Sequence, residues 1–162
     1  MSKWKNSESW NRGQEVEGQF ANLLRKRDPD FRKASKSEQY MHIDYKCKFG
    51  TIDVKAKKRV NRSDNKEQDE LIWLEFKNVQ GKQGWLNSHV DIIAFEREND
   101  FVLAHRKNIL YWAQRACNLN DVVQYSKDAL YKGYTRRGRK DLISIVKISE
   151  LMENVAHKVW QK

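Results

Sequence analysis

The chain has 162 residues, a length that suits one domain and leaves little room for a second. Hydrophobic residues make up 39% of it, enough for a small core, and no apolar run approaches the roughly 20 residues that a membrane-spanning helix needs. The 32 Lys and Arg residues against 22 Asp and Glu residues give a formal net charge of +10, which favours a polyanionic partner such as nucleic acid and no membrane partner.

The first predicted element is a helix over residues 13–27, which Pro29 ends. Its apolar stripe recurs at helical spacing and consists of Val16, Phe20, Leu23 and Leu24. A polar segment over residues 1–11, which we expect to be loosely ordered, precedes a single domain over residues 12–162.

The period of the apolar pattern then changes to two, which is typical of strands. In residues 41–49 the apolar side chains alternate with polar ones, which include Asp44. In residues 51–57 Asp53 and Lys55 share the polar face. A glycine separates the two runs, so the sequence predicts a β-hairpin.

The remaining predicted elements follow one another without an internal repeat. In chain order they are a charged loop over residues 57–70, strands over 71–78, 91–96 and 101–104, a helix over 107–117, a basic loop over 131–140, a strand over 142–147 and a short helix capped by Ser149. This order predicts an α/β fold in one domain, a sandwich in which helices flank a mixed β-sheet.

Asp44, Asp53 and Lys55 are the leading candidates for chemistry. Side chains alternate across a strand, so Asp53 and Lys55 point the same way, about 7 Å apart, and the tight turn brings Asp44 beside them. Two carboxylates on neighbouring strands repel each other unless a cation lies between them, and their hard oxygen ligands suit Mg²⁺ or Mn²⁺. The pattern therefore predicts Asp44 and Asp53 as metal ligands, with Lys55 bound to a phosphate or to the attacking water.

Asp44, followed by Asp53-Val54-Lys55, resembles the D…(D/E)xK signature of the PD-(D/E)XK nuclease superfamily. The wider segment HIDYKCKFGTIDVKAKK is similar to the hairpin of small phage and restriction-type members, although Ile43 stands where the signature has proline. The resemblance covers about residues 12–96. It implies a PD-(D/E)XK-like sandwich and an Mg²⁺-dependent or Mn²⁺-dependent nuclease, a hydrolase that cleaves phosphodiester bonds in nucleic acid, with DNA favoured.

The resemblance also implies that a glutamate of the first helix completes the site, and this position falls on Glu17. A rival assignment exists, because Glu75 and Lys77 form an E-x-K on a predicted strand and could join Asp53. We prefer the hairpin set, because a short turn guarantees that its members lie close together. We expect the strand of Glu75 to run beside the hairpin, so that Glu75 stays a supporting catalytic candidate.

Basic residues predict how a nucleic acid would be held. The basic loop interleaves Tyr131 and Tyr134 with positive charges, which fits phosphate pairing combined with stacking on bases. A second basic cluster directly follows the predicted hairpin in the sequence. The predicted nucleic-acid-binding residues are Lys57, Lys58, Arg59, Lys132, Arg136, Arg137, Arg139 and Lys140. His42 lies near Asp44 on the polar face, and we interpret it as a surface residue.

Two classes of function therefore stay open. One is the metal-dependent nuclease. If it cuts both strands at once, it needs two sites and is expected to be a homodimer. The other is a non-catalytic nucleic-acid-binding protein on the same fold, such as a recombination or host-takeover factor. Cys47 and Cys117 lack CxxC or zinc-site spacing, so we expect buried thiols and a cytoplasmic, reducing compartment.

Overall fold

The computed structural model describes residues 8–60, 64 and 66–162 of the chain. This part contains four α-helices and ten strands. The helices are α1 (Glu8–Arg27), α2 (Lys36–Tyr40), α3 (Arg106–Ala116) and α4 (Ile148–Asn154). The strands are β1 (Arg32–Lys33), β2 (Tyr45–Cys47), β3 (Gly50–Lys55), β4 (Leu71–Lys77), β5 (Ile92–Glu96), β6 (Asp100–His105), β7 (Asn118–Val123), β8 (Lys132–Tyr134), β9 (Leu142–Lys147) and β10 (His157–Gln161).

The strands form two sheets, which makes the chain a mixed α/β protein. The larger sheet has the order β1-β2-β3-β5-β6-β10, and only its β3–β5 pair is parallel among the described strands. The smaller sheet has the order β4-β9-β8-β7, with β7 parallel to β8. The α/β class is confirmed, whereas the prediction of one mixed sheet was wrong. The second sheet escaped prediction because β7 and β8 are largely exposed and carry no clear apolar alternation.

The larger sheet is buried on both faces. The predicted apolar stripe of α1 covers one face and packs against Ile52 and Val54 of β3. The other face carries Ile93 and Phe95 and packs against a second cluster, which includes Leu74 of β4. A fully buried Leu, Ile or Phe side chain contributes about 1.5–3 kcal/mol, so these contacts fix α1 and the smaller sheet on opposite sides of β3.

The predicted helix and hairpin are present with shifted ends. The helix begins at Glu8, so residues 8–11 of the segment expected to be loosely ordered are helical, and residues 1–7 lie outside the described residues. In the hairpin, Cys47 pairs with Gly50, whose φ of 121° favours glycine. Strand β2 is shorter than predicted because Met41 caps the short helix α2, which the sequence did not reveal.

Three further predictions about the elements were wrong. The last helix begins at Ile148 with Lys147 as its N-cap residue, so Ser149 lies inside the helix and does not cap it. Strand β10 follows it and pairs with β6, although no strand was predicted there. Strand β4 belongs to the smaller sheet, so Glu75 does not run beside the hairpin as a neighbouring strand. Within the described residues, no helix combines the length and apolar character that crossing a membrane requires.

Candidate active site

Strand β3 directs Asp53 and Lys55 toward the smaller sheet. Their partners across the parallel pair, Ile93 and Phe95, belong to the core cluster on that side. The Lys55 Nζ atom lies 3.0 Å from Asp53 Oδ2 and 4.8 Å from the centroid of the Trp85 ring. Asp53 is only 4% exposed, which places it in the interior and not on the solvated face that its alternation suggested.

The buried carboxylate of Asp53 retains unused acceptor capacity. Its contact with Lys55 is an ion pair without hydrogen-bond geometry, so Oδ2 accepts no hydrogen bond from the described residues. The Lys55 ammonium, 3.0 Å from this oxygen, offsets part of the free-energy cost of burying the carboxylate.

Asp44 reaches the same point from the segment before β2. Its backbone N–H donates to Ile52 O at 2.8 Å, and its Oδ2 accepts a 2.7 Å hydrogen bond from Val54 N. Asp44 lies close enough to Asp53 to raise the pKa of the Asp53 carboxyl. The hairpin turn therefore unites both predicted metal ligands, as their spacing indicated.

Glu17 of α1 joins this pair. Its side chain is half-buried and lies close enough to Asp44 to raise the pKa of that carboxyl. Its backbone oxygen accepts a 2.9 Å hydrogen bond from Tyr45 Oη, which ties the helix to β2. Glu17, Asp44 and Asp53 thus form a continuous row of three carboxyl groups, which ends at Lys55.

The crowding of carboxyl groups raises their proton affinity. Burial and the adjacent Glu17 raise the pKa of Asp44 to about 7. Burial raises the pKa of Asp53 to about 7 as well, with Asp44 adding to the effect and the charge of Lys55 opposing it. Near neutral pH such a row holds either protons or a bound cation, because neighbouring buried carboxylates cannot all stay charged without one.

The donor set fits a hard divalent cation. Asp44 and Asp53 supply neighbouring carboxylate oxygens, and Mg²⁺ is commonly held by one or two carboxylates with water completing its shell. In residues 8–60, 64 and 66–162, no group of three or more His, Cys, Asp or Glu side chains stands ready to enclose a metal ion.

Glu75 reaches the site from the other sheet. Gly84 approaches β4 so closely that a Cβ there would lie 2.5 Å from Glu75 O, and this approach places Trp85 N 3.4 Å from Glu75 Oε1. Burial raises the pKa of Glu75, and the charge of Lys55 opposes the rise. Lys77 is exposed beyond a bulge at the end of β4. The geometry therefore favours Lys55 over Lys77 as the partner of Asp53.

His42 is a residue whose position sequence reasoning underestimated. It follows the C-cap of α2 with φ 66°, and its N–H donates to Gln39 O while Ile43 N donates to Glu38 O. Glycine is the usual occupant of this left-handed position, and another residue there is strained. Burial and the nearby charge of Lys55 lower the pKa of His42.

The predicted basic residues divide into two groups. Four of them pair with carboxylates: Lys57 with Glu98, Arg59 with Glu8, Lys132 with Asp121 and Arg136 with Asp141, at N···O distances of 2.7, 2.8, 3.2 and 2.6 Å. The side chain of Asp141 is fully buried, so Arg136 is needed to compensate its charge. The other four, which are all exposed, are Lys58, Arg137, Arg139 and Lys140. This second group is the better placed to meet a polyanion.

Similarity to known proteins adds nothing to this geometry: no protein-family model, no curated protein and no solved structure matches the chain.

Proposed function

We propose that the chain is a metal-dependent nuclease of the PD-(D/E)XK type, which hydrolyses phosphodiester bonds in DNA. One observation carries the proposal: the half-buried Asp44 lies near the buried Asp53 and raises the pKa of its carboxyl, and the ammonium of Lys55 lies 3.0 Å from Asp53 Oδ2. Their order along the chain and their placement on a hairpin agree with the signature that the sequence resembles. The net charge of +10 supports a polyanionic substrate.

Asp44 and Asp53 would hold Mg²⁺ or Mn²⁺. The ion supplies a bound water of lowered pKa and stabilises charge that develops on the phosphate. The Val54 N–H fixes one oxygen of Asp44, and the nearby Glu17 raises the pKa of the same carboxyl. Glu17 would therefore act through Asp44, because crowded carboxylates favour a bound cation beside them.

Lys55 binds the reacting phosphate or the attacking water. Its ammonium is held between Asp53 and the face of the Trp85 ring, so it enters the reaction already oriented. Glu75 and Lys55 both line a cleft between the two sheets. Glu75 is therefore a supporting candidate that could orient water. Neither role requires a conformational change that would bring the side chain to the site.

The rival proposal is a nucleic-acid-binding protein without turnover. It is favoured by the Lys55–Asp53 ion pair, which partly neutralises the site without a metal, and by the lack of a ready three-ligand group in the described residues. Under this rival, DNA binding would fall with salt but would not respond to EDTA.

Incubation with circular DNA tests the proposal. Single-stranded and supercoiled double-stranded circles are treated with the wild type, with and without Mg²⁺ or Mn²⁺, and products are separated on a gel. We expect ion-dependent conversion to nicked or linear forms, and loss of conversion in Asp53→Asn. The matched control is Asp30→Asn, which changes an exposed aspartate outside the site. Intact DNA under every condition, for the circles and for a linear strand that would reveal cleavage from an end, with DNA still bound, would support the rival.

A further inference from the structure

A cleft of about 520 Å³ opens beside Lys55, between the two sheets. Lys55 and Phe95 line it from the larger sheet, and Trp73, Glu75 and Tyr134 line it from the smaller one. Its volume lies in the range of pockets that take small organic molecules, roughly 300–1,000 Å³. The proposed catalytic lysine therefore faces a space larger than a phosphate group and a metal ion require.

The wall formed by the smaller sheet is aromatic. Glu75 of β4 pairs with Ile143 of β9, and Ile143 pairs with Tyr134 of β8, so these three side chains share one face. Trp73 precedes Glu75 by two positions and shares that face. Trp73 and Tyr134 are both half-buried, which leaves part of each aromatic side chain open to the cleft.

Basic side chains also line the cleft, together with the carboxylates of Asp69, Glu75 and Glu96. Lys55, Lys58 and Arg136 line the cleft, and Asp141 orients the Arg136 side chain through a 2.6 Å contact. Aromatic faces combined with cations are the groups that hold the bases and phosphates of a single strand. A base within a duplex is stacked and paired, so placing it on this wall would first cost the free energy of unstacking.

We infer that this cleft binds an unpaired nucleotide next to the phosphate that is cleaved, with its base stacked on the wall of Trp73 and Tyr134 and its phosphates near Lys55 and Lys58. The preferred substrate is therefore a single strand, or a strand whose end is unpaired, and not an intact duplex. The position next to the cleaved bond rests on the proposed nuclease function, whereas binding of the base does not.

Binding without hydrolysis tests the inference. Anisotropy of labelled DNA is measured in EDTA with a single-stranded oligothymidylate and with a blunt duplex of equal length, for the wild type, Trp73→Ala and Tyr134→Ala. We expect each variant to lose about tenfold in affinity for the single strand, as removal of a stacking partner does, and less than about twofold for the duplex. Trp73→Phe keeps an aromatic face and should retain most of the affinity. The matched control is Tyr111→Ala, an aromatic residue of α3 that is 64% exposed.

Equal losses for single strand and duplex, or no loss in either alanine variant, would overturn the inference. A failure of Trp73→Phe to restore binding would also overturn it, because stacking would then not be the cause. These outcomes are independent of the nuclease proposal, which is judged by cleavage of circular and linear DNA in Mg²⁺ or Mn²⁺. A wild type that binds oligothymidylate through this wall but cleaves neither circular nor linear DNA keeps the nucleotide site and loses the nuclease function.

Discussion

Replacing Asp53 by Asn should stabilise the metal-free protein at alkaline pH, although it removes a central site residue. Asp53 is 4% exposed and lies against Asp44, so its ionised form is disfavoured in the folded state. Its pKa is raised from 3.8 to about 7. The stability that this raised pKa contributes is present below the unfolded value and is lost as the pH rises through about 7.

The size of this loss in stability follows from the pH range between the unfolded pKa of 3.8 and the folded pKa of about 7. Between pH 5 and pH 7 the folded protein holds a proton on Asp53 that the unfolded chain has released, and each pH unit then costs about 1.4 kcal/mol. The stabilisation of Asp53→Asn relative to the wild type should therefore be larger at pH 8 than at pH 5 by about 2–3 kcal/mol. Lys55 does not reverse the sign, because its side chain is 26% exposed and can remain solvated after losing its partner.

Urea unfolding of both proteins in EDTA, at pH 5, 6, 7 and 8, measures this difference. The control Asp30→Asn changes an exposed aspartate and should shift stability equally at every pH. A difference between pH 8 and pH 5 below about 0.5 kcal/mol, or of opposite sign, would refute the reasoning that burial beside Asp44 raises this pKa.

Three further predictions concern cleavage, strain and affinity. Lys55→Ala should abolish cleavage while DNA binding changes little. Lys77→Ala should lower the cleavage rate at least about tenfold less than Lys55→Ala does, a difference of about 1.4 kcal/mol in the barrier. The opposite ranking in a rate assay would move the site to Lys77. His42→Gly should raise the free energy of unfolding by about 1 kcal/mol, because glycine adopts φ 66° without strain; an unchanged or lower value in urea unfolding would show that the backbone at His42 stores no strain. Changing Arg137 and Arg139 together to Ala should lower the slope of log K against log salt by about 1.4–1.8, with saturating activity kept; an unchanged slope would show that the basic turn does not touch the backbone.

Local sequence patterns predicted the parts of the site that lie close together in the chain. The alternation around Gly50 predicted the hairpin, and the hairpin alone brings Asp44 to Asp53 and Lys55. Periodicity likewise predicted the face of α1 that packs on β3. These features depend on contacts over short separations or on one amphipathic face, which is the information that a pattern contains.

Contacts between the two sheets could not be predicted from local sequence patterns. Nothing near Asp53 indicates that the smaller sheet covers it, so its burial and raised pKa could not be predicted from alternation. The pairing of Arg136 with buried Asp141 was hidden for the same reason, and it turned an expected phosphate contact into an internal ion pair. Trp73 and Trp85 gave no functional signal, because an aromatic residue in a strand or turn is usually core.

The rate of DNA cleavage as a function of Mn²⁺ concentration tests the central claim most directly. Single-turnover cleavage of circular single-stranded DNA is followed at excess enzyme, for the wild type and for Asp44→Asn. We predict no cleavage in EDTA, a rate that rises and saturates with Mn²⁺ for the wild type, and a rate lowered about a hundredfold or more, about 2.7 kcal/mol of barrier, for the variant. Cleavage that persists in EDTA, or equal rates for the two proteins at saturating Mn²⁺, would contradict the assignment of Asp44 and Asp53 as the metal-binding centre of a nuclease.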